Sequence, residues 1–259
     1  MRYALKFAYD GTRFEGYARQ PGRITVEGEI LMALKAKGIA KDIRSASRTD
    51  RGVSAAGNVI AVDTKFPAKG IVPALNSELE GIHFHGMAQV PDDFNPRHAR
   101  LRHYRYFLHA ESVPQLAELR EAAKLFVGEH DFRLFCKKDT GRENTVLTID
   151  SIEFSGEGEF IVCDIKAQRF LWELVRRVLS AILGVAEGKI PSEAVEKMLA
   201  GEPAMKGGIK PLAPEFLVLV DVDYGINFWK APGDHGFGDM ALALKVRAMA
   251  LEHISERIS

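Results

Sequence analysis

The chain has 259 residues, 46% of them hydrophobic, with 35 Lys plus Arg set against 35 Asp plus Glu. This size supports one large domain or two ordinary ones, and no apolar run approaches the roughly 20 residues that span a bilayer. Zero net charge argues against a generally polycationic surface while leaving room for local basic patches.

The N-terminal MRYALKFAYDG lacks the apolar block of a signal peptide. Cys136 and Cys163 are the only cysteines. Their distance in sequence gives no metal-type pair, and so sparse a usage reads as reduced and cytoplasmic. Alternation predicts a strand over 2–9, followed by a turn at Asp10-Gly11. A helix is expected from Thr25, with Val26, Ile30, Ala33 and Leu34 on one face and Gly38 ending it. A short strand near 43–46 leads into SASRTDRGVSAAGNV, then come a strand over 57–64, a short helix over 71–79 and a strand over 81–90. After the connector PDDFNPRHA, a strand is expected over 102–109. A helix then carries Leu116, Leu119, Ala123 and Phe126. A hairpin follows, with strands over 145–154 and 160–167, and then a long helix over 169–184 and a strand over 215–224. A last helix is expected over about 240–258, as a packing appendage or a dimer contact.

Both halves thus read β-α-β-β-α-β. The fold class is α+β, with two ferredoxin-like halves joined edge to edge around a cleft, a usual place for a binding site. The expected division is 1–97, 98–224 and a tail of 225–259. The same plan serves RNA-recognition modules and many unrelated functions, so it does not decide the activity.

Asp50 lies between Arg48 and Arg51 in SRTDRG. As a turn aspartate it would pair with a neighbouring arginine. As a reagent it would be held ionised by that charge and act as a covalent nucleophile. RHARLRHYRY (97–106) interleaves arginines with tyrosines. Tyr104 and Tyr106 share one face of a strand and read either as core or as a base-stacking platform. On the 169–184 helix, Arg169, Glu173 and Arg176 oppose the apolar stripe, the arrangement of a solvated face. His83 and His85 share a strand face without an evident third ligand, so a metal-dependent hydrolase is the weaker reading. GVAEGK (184–189) reads as a helix end, and KGGIKPLAPE (206–215) as a surface loop rather than a phosphate cradle.

SRTDRGVSAAGNV resembles the G-R-T-D-A-G-V-H-x-x-G-Q-V signature of the TruA family of tRNA pseudouridine synthases. YDGTRFEGYARQ, DDFNPRHARLRHYRYFL, GEHDFRLFC, RFLWELVRRV and APEFLVLVDVDY resemble further family segments, in the family's order, over about residues 1–224. The resemblance implies a pseudouridine-synthase fold with a basic cleft, and an isomerase that converts uridine to pseudouridine in tRNA without metal or cofactor. It places the nucleophile at Asp50, the active-site tyrosine at Tyr104 and the aspartate's basic partner at Arg176. Arg48 matches the arginine that opens the stem. Arg48, Arg51, Arg97 and Arg102 are the expected RNA contacts. Anticodon-stem positions 38–40 are the expected target and a homodimer the expected assembly.

Attack would fall on the sugar C1′ or the uracil C6, and Tyr104 or Asp50 would take the C5 proton. A stem uridine must first be flipped out, at a cost of a few kcal/mol. Ser47, Arg51 and Ser54 stand where the family has Gly, Ala and His, and Gln168 stands near an expected Asn. A non-catalytic RNA-binding protein on the same scaffold is the alternative; an intact Asp50, Tyr104 and Arg176 speak against it.

Overall fold

The computed structural model describes residues 1–138, 144–230, 244–246 and 248–249. The tail helix expected over 240–258 falls largely outside these residues; the five described positions within it are helical. The first half contributes β1 (Arg2–Tyr9), α1 (Val26–Ala36), β2 (Arg44–Ser45), β3 (Ser54–Asp63), α2 (Ala68–Asn76) and β4 (Ile82–Val90). The second contributes β5 (Leu101–His109), α3 (Leu116–Ala123), β6 (Gly128–Asp131), β7 (Val146–Glu157), β8 (Phe160–Ala167), α4 (Leu174–Ala186), α5 (Ser192–Leu199) and β9 (Leu217–Asp223). A short β10 (Trp229–Lys230) follows.

All strands join one sheet in the order β10-β4-β1-β3-β9-β5-β8-β7-β6, with β2 pairing β3 off that path. Each half therefore has the strand order fourth, first, third, second: β4-β1-β3-β2 and β9-β5-β8-β7. Their seam is the parallel pair of β3 and β9, at Ser54↔Val218 and Ala55↔Leu219. Further along β3 its edge passes to β2, with Arg44↔Ala61 and Ser45↔Ile60. The edge-to-edge union expected from the sequence is thus a mixed sheet whose seam lies beside the residue 46–53 loop.

Local chemistry accounts for most boundaries. Thr25 caps α1 by accepting from the Gly28 N–H, and Gly38, at φ 66°, follows its end. In β5 the even positions, Arg102, Tyr104, Tyr106 and Leu108, are buried while the odd ones are half-exposed or, at His109, exposed. The period-2 pattern therefore turns both tyrosines and Arg102 inward. α4 packs on α3 and buries Leu174, Val175, Val178, Leu179 and Ile182.

Three features depart from the sequence reading. α4 begins at Leu174 rather than near 169, because Glu173 sits in the left-handed region at φ 62° and interrupts any helix there. Arg169 is therefore off the helix, donating to the Val146 carbonyl at 2.6 Å. β3 starts three residues before the expected 57 because the seam with β9 recruits Ser54 and Ala55. β6, α5 and β10 form without having been expected: two are edge strands set by pairing, and the third is a short amphipathic helix burying Val195, Met198 and Leu199.

Burial pushes several tyrosine hydroxyls upward. Tyr104 and Tyr106 rise to about 12, and Tyr9, Tyr17 and Tyr224 also rise, each chiefly through desolvation. The unfolded chain loses these protons near pH 10 while the folded chain keeps them. Stability is therefore full below about pH 10 and falls from there toward 12, by about 1.4 kcal/mol per pH unit for each such tyrosine. The urea midpoint should hold between pH 8 and 9.5 and drop steeply by pH 11; a flat profile to pH 11 would contradict this burial.

Candidate active site

The residue 46–53 loop carries Asp50 and is fixed at almost every step. The Ala46 and Thr49 carbonyls accept from Arg102 Nη2 and the Tyr17 N–H, at 3.1 and 3.2 Å. Asn58 Nδ2 donates to the Ser47 carbonyl at 3.0 Å. The buried Tyr9 hydroxyl and Thr49 Oγ1 lie 2.7 Å apart. Val53 N–H closes the turn on the Asp50 carbonyl at 3.2 Å, and Gly52 supplies φ +86° where an added Cβ would press on the Pro214 ring at 3.2 Å. Such anchoring preorganises a reacting group.

Asp50 Oδ2 accepts from Arg176 Nη2 at 2.6 Å and Nε at 3.2 Å. Asp50 Oδ1 accepts no hydrogen bond from the described residues, and the side chain is 23% exposed. One carboxylate oxygen is thus anchored and the other is available. Arg176 is only 7% exposed. Its Nη1 donates to the Leu212 carbonyl at 2.7 Å, and Glu173 Oε1 lies 3.7 Å from its Nη2. Glu173 also takes Arg177, with Nε at 3.0 Å. Of the residues that resembled a solvated face, Arg176 is therefore buried against the Asp50 loop beside the seam, while Glu173 is half-buried.

Tyr104 is 7% exposed, with its ring edge-on to Phe170 at 5.1 Å. Burial dominates the rise of its hydroxyl to about 12; the Arg102 guanidinium pulls the other way, and the Asp50 carboxylate adds to the rise. These influences place Asp50, Tyr104 and Arg102 in one electrostatic neighbourhood. At neutral pH Tyr104 is a neutral phenol.

The four arginines expected to bind RNA divide in two. Arg48, Arg51 and Arg97 are exposed, with Arg51 Nη1 3.1 Å from Glu15 Oε2. Arg102 is 6% exposed and is held by the chain itself. Its Nε donates to Ser47 Oγ at 3.0 Å, Nη2 to the Ala46 and Arg97 carbonyls at 3.1 and 3.0 Å, and Nη1 to the Gln168 carbonyl. It ties the Asp50 loop to β5 and to the start of the Phe170 segment. His83 is buried and His85 Nε2 lies 2.9 Å from the Ala56 carbonyl; among the described residues no group of three His, Cys, Asp or Glu could hold a metal ion. Cys136 and Cys163 are both free thiols, and among the described residues no helix is long and apolar enough to cross a membrane.

The positions that depart from the family pattern have local partners. Ser47 receives Arg102, Arg51 pairs with Glu15, and Ser54 Oγ accepts the Gly11 N–H at 3.0 Å. The sequence reading put Glu173 on a solvated face, whereas it organises both arginines of α4, and it missed the Leu212 carbonyl. The glycine-rich segment before Pro211 thus leads into a wall of the site, held also by the Tyr106 hydroxyl donating to the Ala213 carbonyl at 3.0 Å. No side-chain pattern announces a backbone acceptor; the i,i+4 spacing of Glu173 and Arg177 was the one usable signal.

The glycine of YDG has a steric reason. A Cβ on Gly11 would overlap the Val53 carbonyl, backbone that cannot swing aside. Gly11→Ala should therefore destabilise the fold by about 1–3 kcal/mol and lower the transition temperature in a thermal melt. Unchanged stability would show that this contact relaxes freely.

Comparison with known proteins follows the same lines. A family model described as tRNA pseudouridine synthase matches residues 122–225. The tRNA pseudouridine synthase A of Pyrococcus abyssi is 44% identical over 232 residues, covering 88% of this chain and 87% of that protein. Its counterpart in Pyrococcus furiosus is 43% identical over 226 residues, covering 86% and 84%. Among solved structures, an archaeal box H/ACA sRNP Nop10-Cbf5 complex overlays 70% of this chain on 43% of its own, with TM-score 0.37 and 12% identity, too loose a likeness to carry weight.

Proposed function

The chain belongs to the tRNA pseudouridine synthase family, and from that premise we propose that Asp50 is the nucleophile that isomerises uridine to pseudouridine in tRNA, at anticodon-stem positions 38–40. The observation that carries this reading is the one-sided pairing of Asp50: Oδ2 holds Arg176 while Oδ1 has no donor among the described residues. The arginine holds one carboxylate oxygen and so aims the other, and the anchored loop keeps it there.

Oδ1 attacks C1′ of the ribose or C6 of the uracil. By either route the C1′–N1 bond breaks, the base turns within the site, and a C1′–C5 bond forms. The C5 proton leaves to a base, and N1 ends protonated. A phenol pushed up to about 12 is a poor base at neutral pH. This favours Tyr104 as the ring against the flipped uracil and Asp50, once released, as acceptor of the C5 proton. Exposed Arg48, Arg51 and Arg97 suit the phosphates of the opened stem, while buried Arg102 acts by holding the Asp50 loop. In this division residues 1–97 supply the nucleophile, residues 98–224 supply Tyr104 and Arg176, and 225–259 is an appendage. The working unit is read as a homodimer sharing a tRNA, which sedimentation with and without tRNA checks.

The direct test incubates the protein with an unmodified tRNA transcript, chelator present, and maps pseudouridine at single-nucleotide resolution. Product at 38, 39 or 40 is the expected result. Product only elsewhere overturns the target, and tight binding without product favours a non-catalytic RNA-binding protein.

A further inference from the structure

The β3 edge carries the Asp50 loop at one end. At its other end a groove of about 1040 Å³ opens between the C-terminal turn of α1, residues 38–43, β2 and the residues after β3. Lys35, Lys41, Arg44 and Lys65 line it, all exposed. None of the four has a hydrogen-bonded or ion-paired side chain among the described residues. Two acids share the groove. Asp63 is engaged by Arg2, with Nε–Oδ1 at 2.8 Å and Nη2–Oδ2 at 2.7 Å, and Arg44 reaches it only at longer range. Asp42 is the other. The groove is therefore a concentrated positive surface on a chain of zero net charge. Such a surface is costly in self-repulsion and useful for a polyanion.

Its position gives it one. From Ser54 at the seam to Ala61 beside Arg44 the strand advances about 20–25 Å. Residues 44–47 lie along that stretch of β3 and lead into the Asp50 loop, so an RNA strand with its target base at Asp50 and its backbone passing over residues 44–50 reaches the four cations within several nucleotides. We propose that this groove is a second tRNA contact, which grips backbone phosphates away from the target uridine and sets affinity without taking part in the chemistry. The proposal rests on the tRNA reading above.

The test neutralises three exposed lysines together, Lys35→Gln, Lys41→Gln and Lys65→Gln, leaving Arg44 in its strand. The Kd for a full-length tRNA transcript is measured from 50 to 200 mM KCl beside the parent, with kcat and KM for pseudouridine formation. Three lost phosphate contacts should reduce the slope of log Kd against log salt by about 2–3. They should also raise Kd and KM about tenfold or more at the lowest salt and keep kcat. An unchanged Kd and slope beside an active parent overturns the groove and leaves the catalytic reading intact. A fall in kcat with unchanged Kd overturns it too, since the groove would then act on the chemistry. A parent inactive on every transcript, yet with the salt slope lowered in the variant, keeps the groove and sinks the catalytic reading.

Discussion

Asp50→Asn gives a folded protein that binds tRNA and forms pseudouridine at least about 10³-fold more slowly than the parent. The amide keeps the shape and a weak acceptor for Arg176, and removes the charge that attacks. Binding survives because the exposed Arg48, Arg51 and Arg97 are untouched. Stability falls modestly, by about 1–3 kcal/mol, as a charge-assisted bond becomes a neutral one. Single-turnover product formation, tRNA affinity and urea unfolding separate the three quantities. A variant that keeps parental single-turnover rates removes Asp50 from the chemistry, whatever its affinity.

Arg176→Met has the larger effect on the fold. The parent guanidinium spans Asp50 Oδ2, the Leu212 carbonyl and the neighbourhood of Glu173. Methionine fills the volume and leaves a partly buried carboxylate and a carbonyl without their donor. Removing one partner of such a pair costs about 3–5 kcal/mol when it is fully buried; with Asp50 still 23% exposed the expected loss is about 2–4 kcal/mol. The rate should drop about 10²–10³-fold, because an undirected carboxylate loses the positioning advantage. Arg176→Lys should recover part of the stability and little of the rate. A single ammonium restores charge but cannot bridge Asp50 and Leu212 as the planar fork does. Calorimetry and single-turnover assays give the order parent, Lys, Met. Met with parental kcat would leave Arg176 a purely structural residue.

Elements governed by local pattern were legible in the sequence. β1 and β4 formed where strands were expected, although both are buried at nearly every residue rather than alternately, and Thr25 and Gly38 bracket α1 with recognisable caps. What escaped was decided by contacts distant in sequence. Residues 169–173 have helical composition, yet Glu173 is left-handed and turns its carboxylate to Arg176 and Arg177. β6 and β10 are too short to show a period and exist because β7 and β4 offer an edge. α5 was readable, since Pro191 precedes SEAVEKML with Val195, Met198 and Leu199 on one side.

Arg102 is the more instructive residue. A motif rich in arginine reads as a phosphate contact, but Arg102 shares its strand face with Tyr104 and Tyr106, so the period-2 argument that buries the tyrosines buries it as well. Arg176 shows the converse. Its place opposite the apolar stripe of α4 reads as solvent-facing, and only the resemblance pointed it to Asp50. A helix packed at a seam has two buried sides, a circumstance that periodicity alone does not encode.

The ion pair at the centre of the site joins residues 126 positions apart. At about 5–20 residues per second of synthesis, some 6–25 s separate the emergence of the acid from that of its counter-ion. During that interval most of the N-terminal pairing can form, because β1 pairs with both β3 and β4, all made within the first ninety residues; only the seam end of β3 and the outer edge of β4 await β9 and β10. Asp50 meanwhile lacks its arginine throughout, and for the earlier part of the interval it lacks Tyr104 as well. A nascent chain can thus pair the strands of its first half on the ribosome before the Asp50–Arg176 pair exists, and that pair arrives only after α4 has been made.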